Sequence, residues 1–215
     1  MYLPPHFEQT DPAAIAALIE EAPLACLVAQ GTGGLLANHL PLLPAPGERL
    51  IGHIARANDL HRQLAEGQEV LAIFRGVEGY VSPNDYPSKA EHHRHVPTWN
   101  YEVVHVQGRI SFQHDEHTKR AAVGLLTRLH ERRANGAAAW RMADAPPDYM
   151  AMMLDAIVAL RIDITGVLAK SKLSQNRAPA DLDGAIAGLE ARGDSALAGR
   201  MRRMRDTTSA SPAGE

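Results

Sequence analysis

Residues 95–101 read His95-Val96-Pro97-Thr98-Trp99-Asn100-Tyr101, and a second polar run, Lys172-Leu173-Ser174-Gln175-Asn176, follows later in the chain. The proline excludes a helix through the first run and favours an extended conformation before it, so the run enters a strand from a constrained loop. Residues 98–101 then supply a hydroxyl, an indole face, an amide and a phenol. Such a set suits a planar, hydrogen-bonding ligand. A tryptophan in the core with an asparagine closing a turn would explain the run equally well.

Around these runs, short apolar segments alternate with glycine and proline turns. The pattern predicts strands at residues 24–30, 35–43, 49–55, 69–75, 80–82 and 101–112, and from residue 161 to the second polar run. It predicts turns at 31–34, 44–47 and 76–79, and helices that begin near residues 12, 58, 116, 147, 181 and 194. The predicted helix near residue 58 closes at Gly67. Several strands joined by short turns favour a mainly β fold with helices, an antiparallel barrel, over a parallel α/β sheet.

Composition indicates an ordinary globular protein. The chain has 215 residues, 45% of them hydrophobic, which is enough to bury one core. A formal charge of −3 gives no general electrostatic argument for nucleic-acid binding. The lone cysteine, Cys26, excludes an internal disulfide and is predicted to be buried in a strand. The N-terminal residues do not resemble a signal peptide and no apolar run has membrane-spanning length, so we expect a cytoplasmic protein without a membrane partner.

The junction after residues 49–55 is a candidate phosphate site. Arg56 and Asn58 stand where a strand is predicted to meet a helix N-terminus. Free backbone N–H groups and a guanidinium both favour a dianion there. The alternative is a helix N-cap with a solvated arginine beside it.

Other charged groups have simpler explanations. His92, His93 and His95 lie close together, but no ligand pattern with recognised spacing accompanies them, so we predict a loop over a site rather than a metal centre. The basic face of the predicted helix after Asp115 is expected to be solvated; it carries Lys119, Arg120, Arg128, Arg132 and Arg133.

Five blocks carry a resemblance to a known family: residues 1–7, 37–41, 52–58, 96–101 and 172–176. Together and in this order they resemble the PaiB-type family of FMN-binding negative transcriptional regulators. The resemblance implies the FMN-binding split β-barrel, antiparallel with peripheral helices, and a homodimer with two flavin sites at the subunit interface. It covers a domain of residues 1–190; residues 191–206 are predicted to form a C-terminal helical extension and residues 207–215 a disordered tail.

The resemblance also implies roles for individual residues toward FMN. Arg56 and Asn58 become the phosphate pair, with Lys172 or Gln175 as a second clamp. The isoalloxazine edge or the ribityl chain would be met by Asn38, His39, His53 and backbone groups near Ala55. A loop over the same pocket would supply Thr98, Trp99 and Asn100, and the second polar run adds Asn176. The chain departs from the pattern at Asn84-Asp85, where similar sequences often carry a tryptophan, and Tyr86 is the available substitute.

Two functions follow as expectations. The first is an FMN-binding negative transcriptional regulator, although no helix-turn-helix supports DNA as a partner, and the arginines of residues 194–205 are expected to form a solvated or interfacial face. The second is an FMN-dependent oxidoreductase acting on a small molecule, with His39, His53 and His95 as candidate proton relays. A third hypothesis is haem binding.

Overall fold

The computed structural model describes residues 1–210, with side chains described through residue 207. These residues contain seven strands: β1 (Leu24–Gly31), β2 (Gly34–Pro41), β3 (Leu43–Ala45), β4 (Arg49–Ala55), β5 (Glu69–Val81), β6 (Thr98–Gln113) and β7 (Ile157–Lys172). The α-helices of this part of the chain are α1 (Pro12–Glu21), α2 (Leu60–Gln63), α3 (Lys89–His92), α4 (Glu116–Asn135), α5 (Pro147–Asp155), α6 (Pro179–Ala191) and α7 (Ser195–Ala210).

The chain forms two compact units that alternate along the sequence. Unit 1 comprises residues 1–15, 75–104 and those from 168 onward, and unit 2 comprises residues 16–74 and 105–167. The long strands β5, β6 and β7 therefore contribute residues to both units.

In unit 2 the strands follow the order β2-β1-β5-β6-β7-β4-β3. Strand β1 pairs antiparallel with β2 and β5, and β4 pairs antiparallel with β3 and β7. Alternation along β4 buries Leu50, Gly52 and Ile54 and leaves the side chains between them partly exposed, as the period of a strand requires. The core of this unit includes Leu27, Phe74, Ile110, Leu160 and Ile162.

In unit 1 the end of β5, the start of β6 and the end of β7 accompany α6 and α7. A core of apolar side chains joins these elements: Val81, Tyr86, Leu173, Leu182, Ile186, Leu189, Leu197 and Met201. The N-terminal residues join this unit through a bridge between Glu8 and Lys170 and a hydrogen bond from the Gln9 amide to the Ala169 carbonyl, 3.0 Å. Helix α7 is thus part of the core of unit 1; the predicted division of the chain at residue 190 stays a prediction.

Several predicted elements are confirmed. Asp11 accepts a hydrogen bond from the Ala13 amide at the start of α1, 3.0 Å, and Asp115 caps α4 by accepting from the Thr118 amide, 2.8 Å. The proline-initiated helix α5 and the closing helices α6 and α7 also lie where the sequence indicates. Helix α7 runs through Ala210, and residues 211–215 of the predicted tail lie outside the described residues.

Other predictions are wrong. The turn at residues 76–79 is absent, because β5 continues through it. A Cβ atom at Gly79 would lie 2.8 Å from the Leu197 side chain, so this glycine permits a close approach of α7 and not a turn. Strand β2 ends at Pro41, and a separate strand, β3, occupies part of the predicted second turn.

Two burial predictions are also wrong. Cys26 is only partly buried, because β1 alternates and directs Ala25 and Leu27 to the core face. Lys119, expected on a solvated face, is 4% exposed.

None of the helices in the described part of the chain is long and apolar enough to cross a membrane.

Candidate functional site

In unit 1, the two polar runs of the sequence meet at Lys172. Its ammonium donates to the Thr98 hydroxyl, 2.5 Å, and to the Trp99 carbonyl, 2.5 Å. The residue ends β7 and its partners begin β6, so neighbouring strands place the three together. Both acceptors are neutral, and among the described residues Lys172 has no carboxylate partner.

A second cation lies two residues away on the same face of β7. Lys170 donates to the Tyr2 carbonyl, 3.2 Å, and its ammonium lies 5.2 Å from the centre of the Tyr101 ring. Burial lowers the pKa of Lys172 below its ordinary value, and the charges of Lys170 and Arg177 lower it further. The cluster of cations formed by Lys170, Lys172 and Arg177 is therefore suited to an anion, which would relieve their repulsion.

Asn100 joins the same two runs at a buried position. Its amide nitrogen donates to the Ser174 hydroxyl, 2.8 Å. Its carbonyl oxygen is buried and has no hydrogen-bond partner among the described residues. An unsatisfied buried acceptor costs free energy, so a bound ligand with a donor group would fit here.

The rest of the second run is organised by Gln175, whose side chain closes a turn. It donates to the Ser171 carbonyl, 2.6 Å, and accepts from the Leu173 amide, 2.8 Å. Both ends of the Gln175 amide are thus used by the backbone, which disfavours its predicted role as a phosphate clamp. Asn176 is exposed.

Trp99 lies on the opposite face of β6 from Thr98 and Asn100. Its side chain is 50% exposed, donates to Glu78, 3.2 Å, and lies beside Tyr80 with 6.5 Å between ring centroids. The tryptophan is thus an exposed aromatic surface rather than a core residue.

The loop that leads into β6 is fixed by a buried polar cluster. Ser88 donates its hydroxyl to Asp181, 2.7 Å, and contacts the His95 ring at Nε2, 2.7 Å, while Arg177 lies 3.5 Å from Nδ1 of the same ring. Burial raises the pKa of Asp181, but the hydrogen bonds from Ser88 and the charges of His95 and Arg177 outweigh it and lower the pKa below its ordinary value. The arrangement holds His95 as an anchor of the loop, which disfavours its predicted role as a proton relay.

In unit 2, only some of the predicted site residues of β2 and of the turn at residues 55–58 contact one another. Asn58 donates to Asn38 across 3.0 Å, and its own backbone amide bonds the Ala55 carbonyl, 2.9 Å. His39 follows Asn38 directly in β2 and so faces the other side of the strand. The structure therefore groups Asn38, Ala55 and Asn58 and separates His39 from them.

Arg56 lies in this turn but is engaged by a carboxylate. Its guanidinium makes two hydrogen bonds to Asp155, 3.1 and 2.5 Å. The predicted helix beyond it is a single turn, Leu60–Gln63, which is too short to form the predicted anion site at a helix N-terminus. The Arg56 guanidinium is thus bound to Asp155 in this structure, and its role toward a phosphate stays a prediction.

His53 supplies a second unsatisfied atom in unit 2. Its Nδ1 is buried without a partner among the described residues. Burial lowers the pKa of His53, so the ring is neutral near pH 7. A neutral imidazole with a free nitrogen can exchange a hydrogen bond with a ligand. No group of three or more metal-ligating side chains suited to a metal ion is found among residues 1–207.

Comparison with known proteins decides the family. A family model described as "Putative FMN-binding domain" matches residues 1–166. The chain belongs to this family. The resemblance inferred from the five sequence blocks is confirmed, and FMN is the cofactor that membership assigns.

A named relative supports the same family. The "Protease synthase and sporulation protein PAI 2" of Bacillus subtilis is 28% identical over 193 residues, covering 88% of this chain and 89% of the relative. An uncharacterised protein of Saccharomyces cerevisiae is 32% identical over 130 residues, covering 50% of this chain and 76% of the relative.

Solved structures establish the fold. The flavocytochrome Anf3 from Azotobacter vinelandii aligns with a TM-score of 0.57 at 17% identity, covering 77% of this chain and 69% of that one. The FAD and heme binding protein from Mycobacterium smegmatis aligns with a TM-score of 0.57 at 19% identity, covering 82% and 78%. The chain has the FMN-binding split β-barrel fold, as predicted.

Sequence reasoning missed some residues that shape the site. Asp181 and Glu102 are distant in sequence from the groups they bind, and no local motif marks them. Glu102 accepts from Ser171, 3.0 Å, and pairs with Arg200, 2.6 Å. Lys170 did carry a signal, because alternation along the strand places it on the face of Lys172.

Proposed function

We propose that this protein is an FMN-binding regulatory flavoprotein of the PaiB type, with Lys172 as the cation that binds the FMN phosphate. The observation that carries the proposal is the position of its ammonium, held by two neutral acceptors and by no carboxylate of the described residues. Family membership supplies the flavin, and the cluster of cations in unit 1 supplies a place for its charge.

Other residues of unit 1 fit the same ligand. Thr98 fixes the direction of the Lys172 side chain, and its hydroxyl can itself donate to a phosphate oxygen. The Asn100 carbonyl oxygen, which has no partner among the described residues, can accept from a donor group of the flavin. Bound FMN would supply one- and two-electron redox chemistry. The expectation that the predicted residues of both units hold one flavin stays a prediction.

A regulatory role is supported by the relative and is not tied to direct DNA contact. The name of the Bacillus subtilis relative refers to protease synthesis and sporulation. In this chain three of the four arginines of α7 are engaged: Arg202 pairs with Glu190, Arg205 with Asp183 at 2.5 Å and Arg200 with Glu102 at 2.6 Å. We therefore propose regulation through flavin binding rather than through a DNA-reading helix.

One observation favours the alternative of an FMN-dependent oxidoreductase. The lowered pKa of His53 keeps its imidazole neutral, and its Nδ1, unpartnered among the described residues, can exchange a hydrogen bond with a small-molecule substrate. Haem binding, DNA as a partner and the cytoplasmic location stay predictions.

A homodimer is part of the proposal. Unit 1 exposes an adjacent aromatic pair, Tyr80 and Trp99, and exposed aromatic surface is typical of sites that meet a ligand or a second protein. Light scattering coupled to gel filtration would test it, and a monomer at micromolar concentration would contradict it.

The function itself is tested by a flavin titration. Protein stripped of flavin should take up FMN with a perturbed visible spectrum. Addition of NADH or NADPH to the FMN-bound protein then separates the two functions: a regulator should leave the flavin oxidised or reduce it without turnover, whereas steady nucleotide oxidation with a small-molecule acceptor supports the oxidoreductase. Failure to take up FMN would contradict both.

A further inference from the structure

The basic face of α4 contains two arginines that the fold does not use. Arg120 bonds Glu116, 2.9 Å, and Arg133 bonds Glu20, 3.0 Å. Lys119 is buried. Arg128 and Arg132, one helical turn apart, have no carboxylate partner in the described part of the chain, and so they remain available to an external anion.

Both arginines line a cavity of about 730 Å³ within unit 2. Its walls come from α4 and from the loop that follows it, and include Gly124, Trp140, Arg141 and Met142. The volume lies in the usual range for small-molecule sites. Trp140 is 42% exposed, so its indole is accessible to a ligand.

Carboxylates near the cavity are already engaged in holding the loop. Glu131 accepts from the Trp140 amide, 2.9 Å, and from Asn135, 2.7 Å. Asp144 accepts from both the backbone and the side chain of Arg141, 2.9 and 3.2 Å. These bonds lower the pKa of both carboxyl groups. The loop is therefore ordered by carboxylates that do not neutralise Arg128 and Arg132.

The charge and shape of the cavity indicate its ligand. Three guanidiniums and one carboxylate line it, a net charge of +2. A phosphate monoester carries about −1.5 to −2 at pH 7 and presents the oxygen geometry that arginine forks match. A planar ring can stack on the exposed indole. We propose that this cavity binds a nucleoside monophosphate, with the phosphate on Arg128 and Arg132 and the base on Trp140.

Calorimetric titration of the FMN-saturated protein with AMP at low salt tests the proposal, while the flavin spectrum reports any displacement of FMN. The Arg128→Ala/Arg132→Ala double variant should lose at least about tenfold in AMP affinity, because charge-assisted hydrogen bonds disappear. Trp140→Ala should also lose roughly tenfold, because stacking on an aromatic side chain is lost. The matched control on the same helix, Arg120→Ala, should stay within about twofold of the wild type, because Arg120 already pairs with Glu116.

Adenosine and inorganic phosphate separate the two halves of the ligand. Each should bind more weakly than AMP. The proposal is overturned if AMP does not bind at millimolar concentration, if it displaces FMN instead, or if the double variant and the Arg120 control behave alike. Phosphate binding as tightly as AMP, with no effect of Trp140→Ala, would overturn the nucleotide assignment.

Discussion

The Lys172 ammonium lies 2.5 Å from the Thr98 hydroxyl, and this contact joins the two polar runs that stand out in the sequence. The lysine has only neutral acceptors there among the described residues, and Lys170 and Arg177 repel its charge. A ligand anion at this point would replace repulsion by attraction.

The Asn100–Ser174 hydrogen bond should hold the two runs together in the absence of ligand. Asn100→Ala and Ser174→Ala should each lower the free energy of unfolding by about 1–3 kcal/mol, because a buried polar group loses its partner. The double variant should lose less than the sum, since both changes remove one interaction. Urea unfolding measures all three. Strict additivity would show that the bond contributes nothing.

The Asp181 cluster should stabilise unit 1 more than exposed ion pairs of the same helix. Asp181→Asn should cost about 1–3 kcal/mol, because the hydrogen bonds from Ser88 to a buried carboxylate are weakened. Asp183→Asn is the matched control on α6, where an exposed pair with Arg205 should contribute roughly 0–1 kcal/mol. Equal losses for the two variants would contradict the anchoring role of the cluster.

Arg56 should contribute little to flavin binding while Asp155 holds it. Arg56→Ala should change FMN affinity by less than about fivefold and stability by about 0–1 kcal/mol, the usual range for an exposed ion pair. Asp155→Asn frees the guanidinium and tests the alternative directly. If Arg56 were the main phosphate ligand, that variant would bind FMN more tightly than the wild type.

His53 should make the fold sensitive to acid. Because burial lowers its pKa in the folded state, the unfolded chain takes up a proton first as the pH falls through about 6.5. The free energy of unfolding should therefore decrease from that pH down to the folded-state pKa of His53. His53→Gln should reduce this loss in denaturant titrations at about pH 7.5 and 5.5. His105, whose pKa burial also lowers, contributes in the same direction, so the comparison rests on the difference between variant and wild type. If the variant loses as much stability as the wild type between the two pH values, the assignment of this acid sensitivity to His53 is contradicted.

The sequence predicted the fold more completely than the site. Period-two alternation at residues 49–55 and the caps at Asp11 and Asp115 are local signals, and the structure follows them. The role of Gly79 could not be predicted from the sequence. It permits the close approach of Leu197, and in a sequence such a glycine cannot be distinguished from one in a turn. The availability of a cation for a ligand was equally hard to predict from the sequence. Arg56 contacts the carboxylate of Asp155, whereas Lys172 contacts the neutral hydroxyl of Thr98, and both partners lie far away in the chain.

The central claim is that Lys172 binds the phosphate of FMN, and the direct measurement compares FMN with riboflavin, which lacks that phosphate, on wild type and on Lys172→Met. The variant should lose at least about tenfold in FMN affinity, as expected for a charge-assisted hydrogen bond, while riboflavin affinity stays within about twofold. FMN binding by the wild type should also weaken as the pH rises and the ammonium loses its proton, beginning below the ordinary lysine pKa of 10.5. An equal loss for FMN and riboflavin, or no loss for either, would contradict the claim.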